Sequence, residues 1–544
     1  MKMVKSLVLG SAAALVAMGG AQAADLPVKA KAVEYVRICS LYGAGFWYIP
    51  GTDTCIKIGG YLRVDTTFNG GIYDQPAWSG DLGQRNRLFD NFNSRSRMAL
   101  TVDTRTATEY GVVRTFAQGD FQFNNYGTSN NAALGAAPAA PGGLSGSLLD
   151  GVGGGYVAVE YVFIQFAGFT FGKSSSAYAT PWNGYPGNNS SYLFGGNDSV
   201  TGVNNIQYTA QFGNGVSGSI GLDDPPAFNR VSVLNLSVAG SATSAGAFAY
   251  GGTHAPDIVG NIRVDQAWGL FQISAAAHEV DASYNVLGAA GVPTNLSEIS
   301  GHPDTKWGGS VMAALQIKNL PTGPGDDIKI DASYAKGDTK NVISTSASTP
   351  NFAMFGGSGR AYQGLGFGQN ADAVYLPAGL AAGGGGLAGG FAGTGDLKLV
   401  ESYGIRGAFN HNWDPYWSTS LWGAAAAVRY NGTSGTGVGL LGGDINSAKF
   451  QWCANYITSN KLTAANTSAD FSCNPDYNIF MVGVVTRWTP VKNLTFSAEV
   501  SYFHLDQKFS GTAVLTPSAP KPTTAYEFKD QDTVALNVRV QRNF

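Results

Sequence analysis

The sequence predicts an all-β protein, a closed sixteen-stranded antiparallel β-barrel that crosses a membrane with its strands. Charged residues make up 13% of the 544 residues, about half of the usual share, whereas hydrophobic residues are an ordinary 44%. No segment beyond the N-terminal region contains the long apolar run of a membrane helix. Strands in which apolar and polar residues alternate remain compatible with this composition, and a closed barrel is the form in which strands can face lipid.

The N-terminus predicts export. Lys2 and Lys5 precede an apolar segment at 6–18, and Ala21 and Ala23 supply the small residues of a cleavage site, so residues 1–23 are expected to be a cleaved signal peptide. The alternative, an uncleaved helical anchor, is disfavoured because the apolar run is short. Loss of two lysines takes the net charge from −3 to about −5, which offers no basic surface to nucleic acid.

The C-terminal segment is the clearest predicted strand. From residue 533 the chain reads T-V-A-L-N-V-R-V-Q-R-N-F. One face carries Val534, Leu536, Val538 and Val540, and the opposite face carries polar residues that include Arg539. A helix would mix the two sets because its period is 3.6 residues, so the pattern indicates a strand with one face toward lipid.

The number of strands follows from the alternation of tight turns and long loops. Tight turns are expected at about 104–107, 167–168, 214–215, 268–269, 318–326, 413–415 and 489–493. Long segments rich in Gly, Ser and Asn lie at about 69–93, 124–155, 174–202, 224–256, 281–305, 337–398, 431–477 and 507–529. Seven turns and eight loops require sixteen strands, with the short turns on the periplasmic side and the long loops outside. Glycine-rich runs such as 381–395 could instead be interdomain linkers, but their placement opposite the turns favours loops.

Lumen residues can be assigned where a strand has a clear apolar face. The apolar faces of segments 56–65 and 94–103 point to lipid, so their charged residues point inward, and the next strand adds one further arginine. A cationic wall in a narrow pore biases ion passage, so these residues are expected to line a constriction. The alternative is that the arginines only pair with nearby acids. The candidates are Arg63, Arg95, Arg97 and Arg114, with Asp65, Asp103 and Glu160.

The third long loop, at 174–202, is unusually aromatic for a surface segment. Exposed rings in water are unfavourable, so the loop is expected to fold into the lumen and narrow the channel. The alternative is a surface loop packed on a neighbouring subunit. Its aromatic residues and its single acid are Tyr178, Trp182, Tyr185, Tyr192, Phe194 and Asp198.

Four cysteines in an exported chain predict disulfides. Three connectivities are open, and closeness in sequence favours Cys39–Cys55 and Cys453–Cys473. Catalysis, a metal and a cofactor are not expected, because the histidines lack metal-ligand spacing and no nucleophile elbow or nucleotide fingerprint occurs. A hydrolytic pairing of His504 with Ser501 is conceivable but weakly supported.

The N-terminal segment AVEYVRICSLYGAGFWYIPGTDTCIKIGGYLRVD, at 32–65, resembles the start of the mature alphaproteobacterial porins. The S-R-S-R run at 94–97, the segment at 166–175 and the terminal phenylalanine are similar to that family as well. The resemblance implies a trimeric outer-membrane general-diffusion porin with sixteen strands, an inward-folded third loop and a Cys39–Cys55 disulfide. Its implied partners are two further copies, outer-membrane lipid and lipopolysaccharide, and small hydrophilic solutes and ions.

Three functions follow as hypotheses. The leading one is a passive, water-filled pore, and the single acid of the third loop tilts its ion preference toward anions. The second is a substrate-selective channel in which the loop aromatics guide a sugar or similar solute. The third is a secreted carbohydrate-binding β-sandwich. The expected organisation is a signal peptide at 1–23, an N-terminal segment at 24–55 and a barrel at 56–544.

Overall fold

A computed structural model describes residues 37–71, 92–124, 156–197, 201–225, 230–240, 249–285, 301–343, 351–356, 364–382, 393–517 and 522–544. The chain divides into two compact units, Met1–Ile56 and Lys57–Phe544. The predicted signal peptide and Asp198 lie outside the described residues.

The described part of the first unit is held by a disulfide. A 3₁₀ turn at Ser40–Tyr42 leads to a short strand, Trp47–Tyr48, which pairs with Cys55 and Ile56. Cys39 and Cys55 are bonded and pack with Phe46 in a small apolar cluster. A segment this small cannot bury a large core, so the cross-link contributes much of its order.

Sixteen long strands dominate the chain. They are β1 Thr54–Phe68, β2 Phe92–Thr108, β3 Gly111–Asn124, β4 Tyr156–Phe166, β5 Phe169–Ser174, β6 Val203–Gly213, β7 Val216–Asp223, β8 Asp257–Gln266, β9 Gly269–Val280, β10 Lys306–Lys318, β11 Asp327–Lys336, β12 Glu401–Asn412, β13 Trp417–Arg429, β14 Tyr477–Val491, β15 Leu494–Gln507 and β16 Gln531–Asn543. Each pairs antiparallel with the next in chain order.

The sheet closes on itself because β16 pairs with β1. Arg63 lies opposite Gln541, and Asp65 lies opposite Arg539. Closure leaves no unpaired sheet edge, which is the condition for strands to exist in lipid. The prediction of a closed sixteen-stranded barrel is confirmed, and the alternative of a β-sandwich is wrong.

The two faces of the barrel differ as the alternation predicted. On β1, Ile58, Leu62 and Val64 are about half exposed on the outer face, whereas Asp65 is buried on the lumen face. The outer face is therefore apolar and suited to lipid, and the polar side chains line the interior. In the described ranges, no helix combines the length and the apolar character that crossing a bilayer requires.

Six of the seven predicted turns overlap the observed ones, and the first is wrong. The threonine-rich segment 104–107 lies within β2, which continues to Thr108, and the turn falls at residues 109–110. Threonine favours extended backbone, which explains why the strand continues. Gly111, with φ of +118°, begins the returning strand in a conformation that other residues rarely adopt.

The long loops contain structure that the sequence did not predict. One helix, α1, spans Ala448–Ser459 and begins after Ser447, whose hydroxyl accepts a hydrogen bond from the Phe450 N–H at 3.2 Å. The Cys453–Cys473 disulfide joins this helix to the chain that follows it. Short strands form a four-stranded and a three-stranded sheet: Val233–Asn235, Asn351–Gly356, Gly364–Gln369, Ala373–Tyr375, Lys398–Leu399, Thr512–Leu515 and Thr524–Phe528.

These loop elements pack together on the side of the barrel away from the short turns. We call the described segments 230–238, 338–343, 364–376, 430–473, 508–517 and 522–528 the loop cap. At its centre, the Trp452 and Tyr456 rings stack with centroids 5.5 Å apart, and the Phe509 ring contacts both. The same hydrophobic cluster includes Trp422 and Phe503 of the barrel wall, so the cap rests on the lumen face of β13 and β15.

Candidate pore constriction

The third loop, residues 175–202, begins against the lumen wall formed by β8 and β9. The Asn261 amide donates a hydrogen bond to the Ala177 carbonyl at 2.6 Å, and the Gln272 amide donates one to the Ala179 carbonyl at 2.7 Å. Both side chains belong to lumen faces of the barrel. The first half of the loop therefore lies inside the barrel.

The middle of the same loop binds strands on the far side of the lumen. The buried Glu499 carboxylate accepts hydrogen bonds from the backbone N–H groups of Asn189 at 2.6 Å and Ser190 at 3.0 Å. Arg539 donates to the Asn189 carbonyl at 2.6 Å, and Arg487 donates to the Gly187 carbonyl at 2.5 Å. The loop thus extends from β8 and β9 to β14, β15 and β16.

A buried ion pair holds the last part of the loop. Arg406 of β12 contacts the carboxylate of Asp331 on β11 at 2.9 Å, and both side chains are fully buried. The same guanidinium donates to the Asn197 carbonyl at 2.6 Å. Burying two charges costs several kcal/mol of desolvation, so the shared contact with the loop backbone helps to offset that cost.

The loop aromatics anchor the loop rather than line the opening. Tyr178, Tyr192 and Phe194 are at most 3% exposed. Tyr192 and Phe194 join the hydrophobic cluster of the loop cap, and Tyr178 packs with Trp182 against β8 and β10. Burial raises the pKa of the Tyr178 phenol. Three of the five predicted rings therefore cannot form an aromatic path for solute, which weakens the hypothesis of a substrate-selective channel. A fourth ring, that of Tyr185, has its centroid 5.5 Å from the Arg406 guanidinium.

Five lumen-facing arginines form what we call the basic wall. Arg487 and Arg539 were not predicted as site residues, although the alternation of apolar and polar residues had placed Arg539 on the polar face of its strand. The basic wall consists of Arg487 on β14, Arg539 on β16, Arg63 on β1, and Arg95 and Arg97 on β2.

Carboxylates compensate only part of this charge. Asp65 contacts Arg95 at 2.8 Å and Arg539 at 3.3 Å, and Asp120 contacts Arg97 at 2.7 Å. Arg63 donates to the Gln541 amide oxygen at 2.8 Å, and Arg487 donates to the Ser420 hydroxyl at 2.8 Å. Among the described residues, no carboxylate lies within ion-pair distance of these last two guanidiniums.

The structure separates Arg114 and Asp103 from the other predicted constriction residues, which corrects the expected cluster. Arg114 pairs with Asp103 at 3.0 Å and lies opposite Arg105 on β2. Arg105 is ten residues beyond Arg95, a distance of about 30 Å along an extended strand. The pair therefore lies near the turn side of the barrel, outside the basic wall.

Glu160 lies near the end of the third loop. It is the extra residue at the β-bulge between β3 and β4, and it accepts a hydrogen bond from the Thr201 hydroxyl at 2.9 Å. It thus contacts the end of the third loop. In the described parts of the chain, no three His, Cys, Asp or Glu side chains are grouped to hold a metal. His504 is hydrogen-bonded to Asp532 at 2.6 Å. It lies three residues after the lumen-facing Ser501, so the two side chains point to opposite faces of β15, and His504 and Ser501 do not form a hydrolytic pair.

Comparisons with known proteins agree with this architecture. A family model described as "Porin subfamily" matches residues 25–537. The porin Omp2b of Brucella suis is 34% identical over 281 residues, which cover 49% of this chain and 64% of that relative. Porin Omp2b of Brucella abortus (strain 2308) is 34% identical over 277 residues, which cover 49% and 63%. These matches span just under two thirds of the relatives' own length.

A solved structure gives the same fold. The outer membrane channel DcaP of Acinetobacter baumannii aligns with a TM-score of 0.50 at 12% identity, covering 91% of this chain and 99% of that one. The closed barrel, its apolar outer face and the family match place the chain in the bacterial outer membrane. Because the family model matches nearly the whole length, this chain belongs to the porin family.

Proposed function

We propose that this protein forms a passive, water-filled channel for ions and small hydrophilic solutes. The observation that supports this most directly is the third loop, which crosses the lumen while Arg63 and Arg97 of the basic wall remain partly exposed. The opening between loop and wall sieves solutes by size and charge. Nothing in this arrangement requires an energy source.

The charges of the constriction support a preference for anions. Arg63 and Arg487 have no carboxylate within ion-pair distance among the described residues, and Glu499 is engaged by loop N–H groups. Guanidiniums without an ion-pair partner raise the local anion concentration and admit anions more readily than cations.

The test is single-channel recording of the purified protein in a planar bilayer with a salt gradient. We expect stable openings and a reversal potential of the sign that indicates anion preference. Arg63→Gln should reduce that potential. Arg114→Gln, which alters an arginine outside the basic wall, is the matched control and should leave it nearly unchanged. A folded protein that never conducts would contradict the channel function.

The partners of the channel are part of the same proposal. We infer a homotrimer embedded in outer-membrane lipid and lipopolysaccharide, and openings in groups of three would support the trimer. We also infer that residues 1–23 are removed on export and that the barrel domain begins near residue 56. N-terminal sequencing of protein from the outer membrane should then start at Ala24, and an intact Met1 would contradict the cleavage.

One cavity favours a second candidate, a channel that selects neutral solutes. A recess of about 440 Å³ lies beneath the third loop, lined mostly by amides and hydroxyls of β6, β7 and β8, including Gln207, Gln211 and Asn261. Its lining includes one arginine and one aspartate, Arg263 and Asp265, which pair with each other at 3.0 Å; Asp265 also pairs with Lys318 at 3.4 Å. Concentration-dependent, saturable block of the current by a disaccharide would support this function, and an unaffected current would exclude it.

A further inference from the structure

A cluster of buried ionisable side chains lies away from the basic wall, where loop segments meet the lumen face of β8 and β9. All of its members are at most 8% exposed. We call it the buried latch, and it consists of Asp257 on β8, His278 on β9, Tyr250 before β8, and Asp338, Lys340 and Asp372 in the segments that follow β11.

Five of the six members are joined by contacts of 3.5 Å or less, and Asp338 belongs to the cluster because it lies two residues before Lys340 in the same segment. His278 Nδ1 lies 2.6 Å from an Asp257 carboxylate oxygen. The Tyr250 hydroxyl lies 2.9 Å from His278 Nε2 and also 2.9 Å from Asp372. The Lys340 ammonium lies 3.5 Å from Asp257. The cluster therefore forms one connected network between the barrel and two loops.

Two carboxylates of the buried latch hold the loop backbone and a barrel side chain. Asp372 accepts hydrogen bonds from the N–H groups of Val231 at 3.0 Å and Thr339 at 2.7 Å. Asp338 accepts one from the hydroxyl of Ser310 on β10 at 2.7 Å. Without the buried latch, segments 230–240 and 338–343 would lose these attachments.

The same loop segment contacts the third loop. The Gly195 N–H donates to the Val342 carbonyl at 2.9 Å, and the Asn197 amide donates to the Asn341 amide oxygen at 2.6 Å. Release of segment 338–343 would therefore remove two of the hydrogen bonds that hold residues 195–197 and leave the contact of Arg406 with the Asn197 carbonyl.

The Tyr250 hydroxyl makes this network sensitive to protons. It has one hydrogen but two acceptors, His278 Nε2 and Asp372. If the imidazole is neutral and its Nδ1 donates to Asp257, Nε2 needs the tyrosine hydrogen and Asp372 loses it. If the imidazole is protonated, Nε2 donates to the tyrosine oxygen, and the hydroxyl can donate to Asp372. With Asp257 and Asp372 ionised, only the protonated imidazole satisfies every contact.

The surrounding charges favour proton uptake as well. Four carboxylates surround the site, namely Asp257, Asp338 and Asp372 of the latch together with Asp223 at the end of β7. Two cations face them, Lys340 and the Arg230 guanidinium, which lies 4.1 Å above the Tyr250 ring. Burial alone would lower the pKa of Lys340, but these carboxylates raise it overall. With a neutral imidazole, the buried charge is therefore negative.

Asp338 shows the direction of the effect. Burial raises its pKa from the ordinary 3.8 to about 6. A released loop would return the carboxyl to water and to its ordinary pKa, so the latched state binds the proton more tightly. The latched state is therefore favoured as the pH falls below about 6 and loses that advantage as the pH rises. This one group changes the ratio of latched to released states by about tenfold between pH 8 and pH 5.

We propose that the buried latch is a proton-binding site that locks segments 230–240 and 338–343 against the third loop in acid and loosens them at alkaline pH. Its effect on current rests on the proposed channel function, whereas its effect on loop opening does not. The two can therefore be measured separately.

The first experiment measures hydrogen–deuterium exchange of the full-length protein at pH 5 and pH 8, corrected for the intrinsic exchange rate. Peptides that cover 230–240 and 338–343 should be about tenfold more protected at pH 5. In bilayers, current fluctuations of open channels should be rarer at pH 5 by a similar factor. Equal protection at both pH values would overturn the latch, whereas pH-dependent protection in a silent protein would support the latch and contradict only the channel.

Variants test the assignment to these residues. His278→Gln and Asp338→Asn remove titrating groups and should flatten the pH dependence of loop exchange. Tyr250→Phe keeps the ring but removes the hydroxyl, so it should lower protection at pH 5. His504→Gln is the matched control, because His504 also contacts an aspartate, Asp532, at 2.6 Å but lies outside the buried latch. A control that flattens the profile as much as His278→Gln would overturn the assignment.

Discussion

The attachment of the third loop to Glu499 offers the sharpest test of how this pore is kept narrow. The carboxylate is 1% exposed and accepts the Asn189 N–H at 2.6 Å, the Ser190 N–H at 3.0 Å and the Trp422 indole N–H at 3.2 Å. Glu499→Gln preserves the size of the side chain. It replaces one acceptor oxygen with an NH₂ group that cannot accept a hydrogen bond from a backbone N–H.

The magnitude follows from the bonds that are lost. Hydrogen bonds to a charged acceptor contribute about 1.5–3 kcal/mol each. One hydrogen bond is removed, and the remaining ones go to a neutral acceptor instead of a carboxylate. Docking of the loop should therefore become less favourable by about 3 kcal/mol. Since 1.4 kcal/mol corresponds to a factor of ten, the undocked population should rise about 100-fold.

The assay is the current noise of single open channels at fixed voltage, after a heat-dependent gel shift has shown that the barrel is folded. Ser497→Ala is the matched control, because it removes only the neutral hydrogen bond from the Asn189 side chain to the Ser497 hydroxyl at 2.6 Å. That loss is worth about 1 kcal/mol, so its noise should increase only several-fold. A Glu499→Gln channel as quiet as the wild type, or no noisier than Ser497→Ala, would refute the docking role.

Three further outcomes are expected. Replacing Cys453 and Cys473 by Ser should destabilise the loop cap by about 3 kcal/mol because the cross-link no longer restricts the unfolded loop. A protease should then cut near α1 while the barrel remains intact. An unchanged cleavage rate would argue against a stabilising role of this disulfide. Asp65→Asn removes the carboxylate that Arg95 and Arg539 share, so the reversal potential should move further toward anion preference. The free energy of unfolding should fall by about 3 kcal/mol because a buried ion pair loses one partner. A shift toward cation preference would contradict the role of Asp65 in the basic wall. Ile405→Arg places a charge on the outer face and should reduce the free energy of unfolding, measured in lipid vesicles, by about 2–4 kcal/mol. A reduction below about 0.5 kcal/mol would rule out a lipid-facing position for Ile405.

The local alternation of residues determined the barrel. Side chains in a strand point alternately to opposite faces whatever the rest of the molecule does, so the outward Leu62 and the inward Asp65 could be read from the sequence. Turn and loop lengths are local as well, and they predicted sixteen strands and the positions of six turns. The first turn was misplaced because Thr104–Thr108 fits an extended strand as well as a turn.

The site required contacts between distant parts of the chain. Glu499 and Arg487 are ordinary inward residues on their strands, and only the path of the third loop brings residues 187–190 to them, about 300 positions away in sequence. In the same way, the stagger of β2 against β3, rather than the spacing of charges, moved Arg114 away from the basic wall.

The sequence by itself therefore determined the membrane barrel, its two faces and the candidate disulfide partners, because these depend on local periodicity and on the number of cysteines. The tertiary structure confirmed the disulfide pairing that closeness in sequence had favoured. It alone decided which arginines meet the third loop, and how loops far apart in sequence form the loop cap and the buried latch. The physical reason is that long-range contacts depend on the closure of the sheet and on the course of long loops, and neither is encoded in any short stretch of residues.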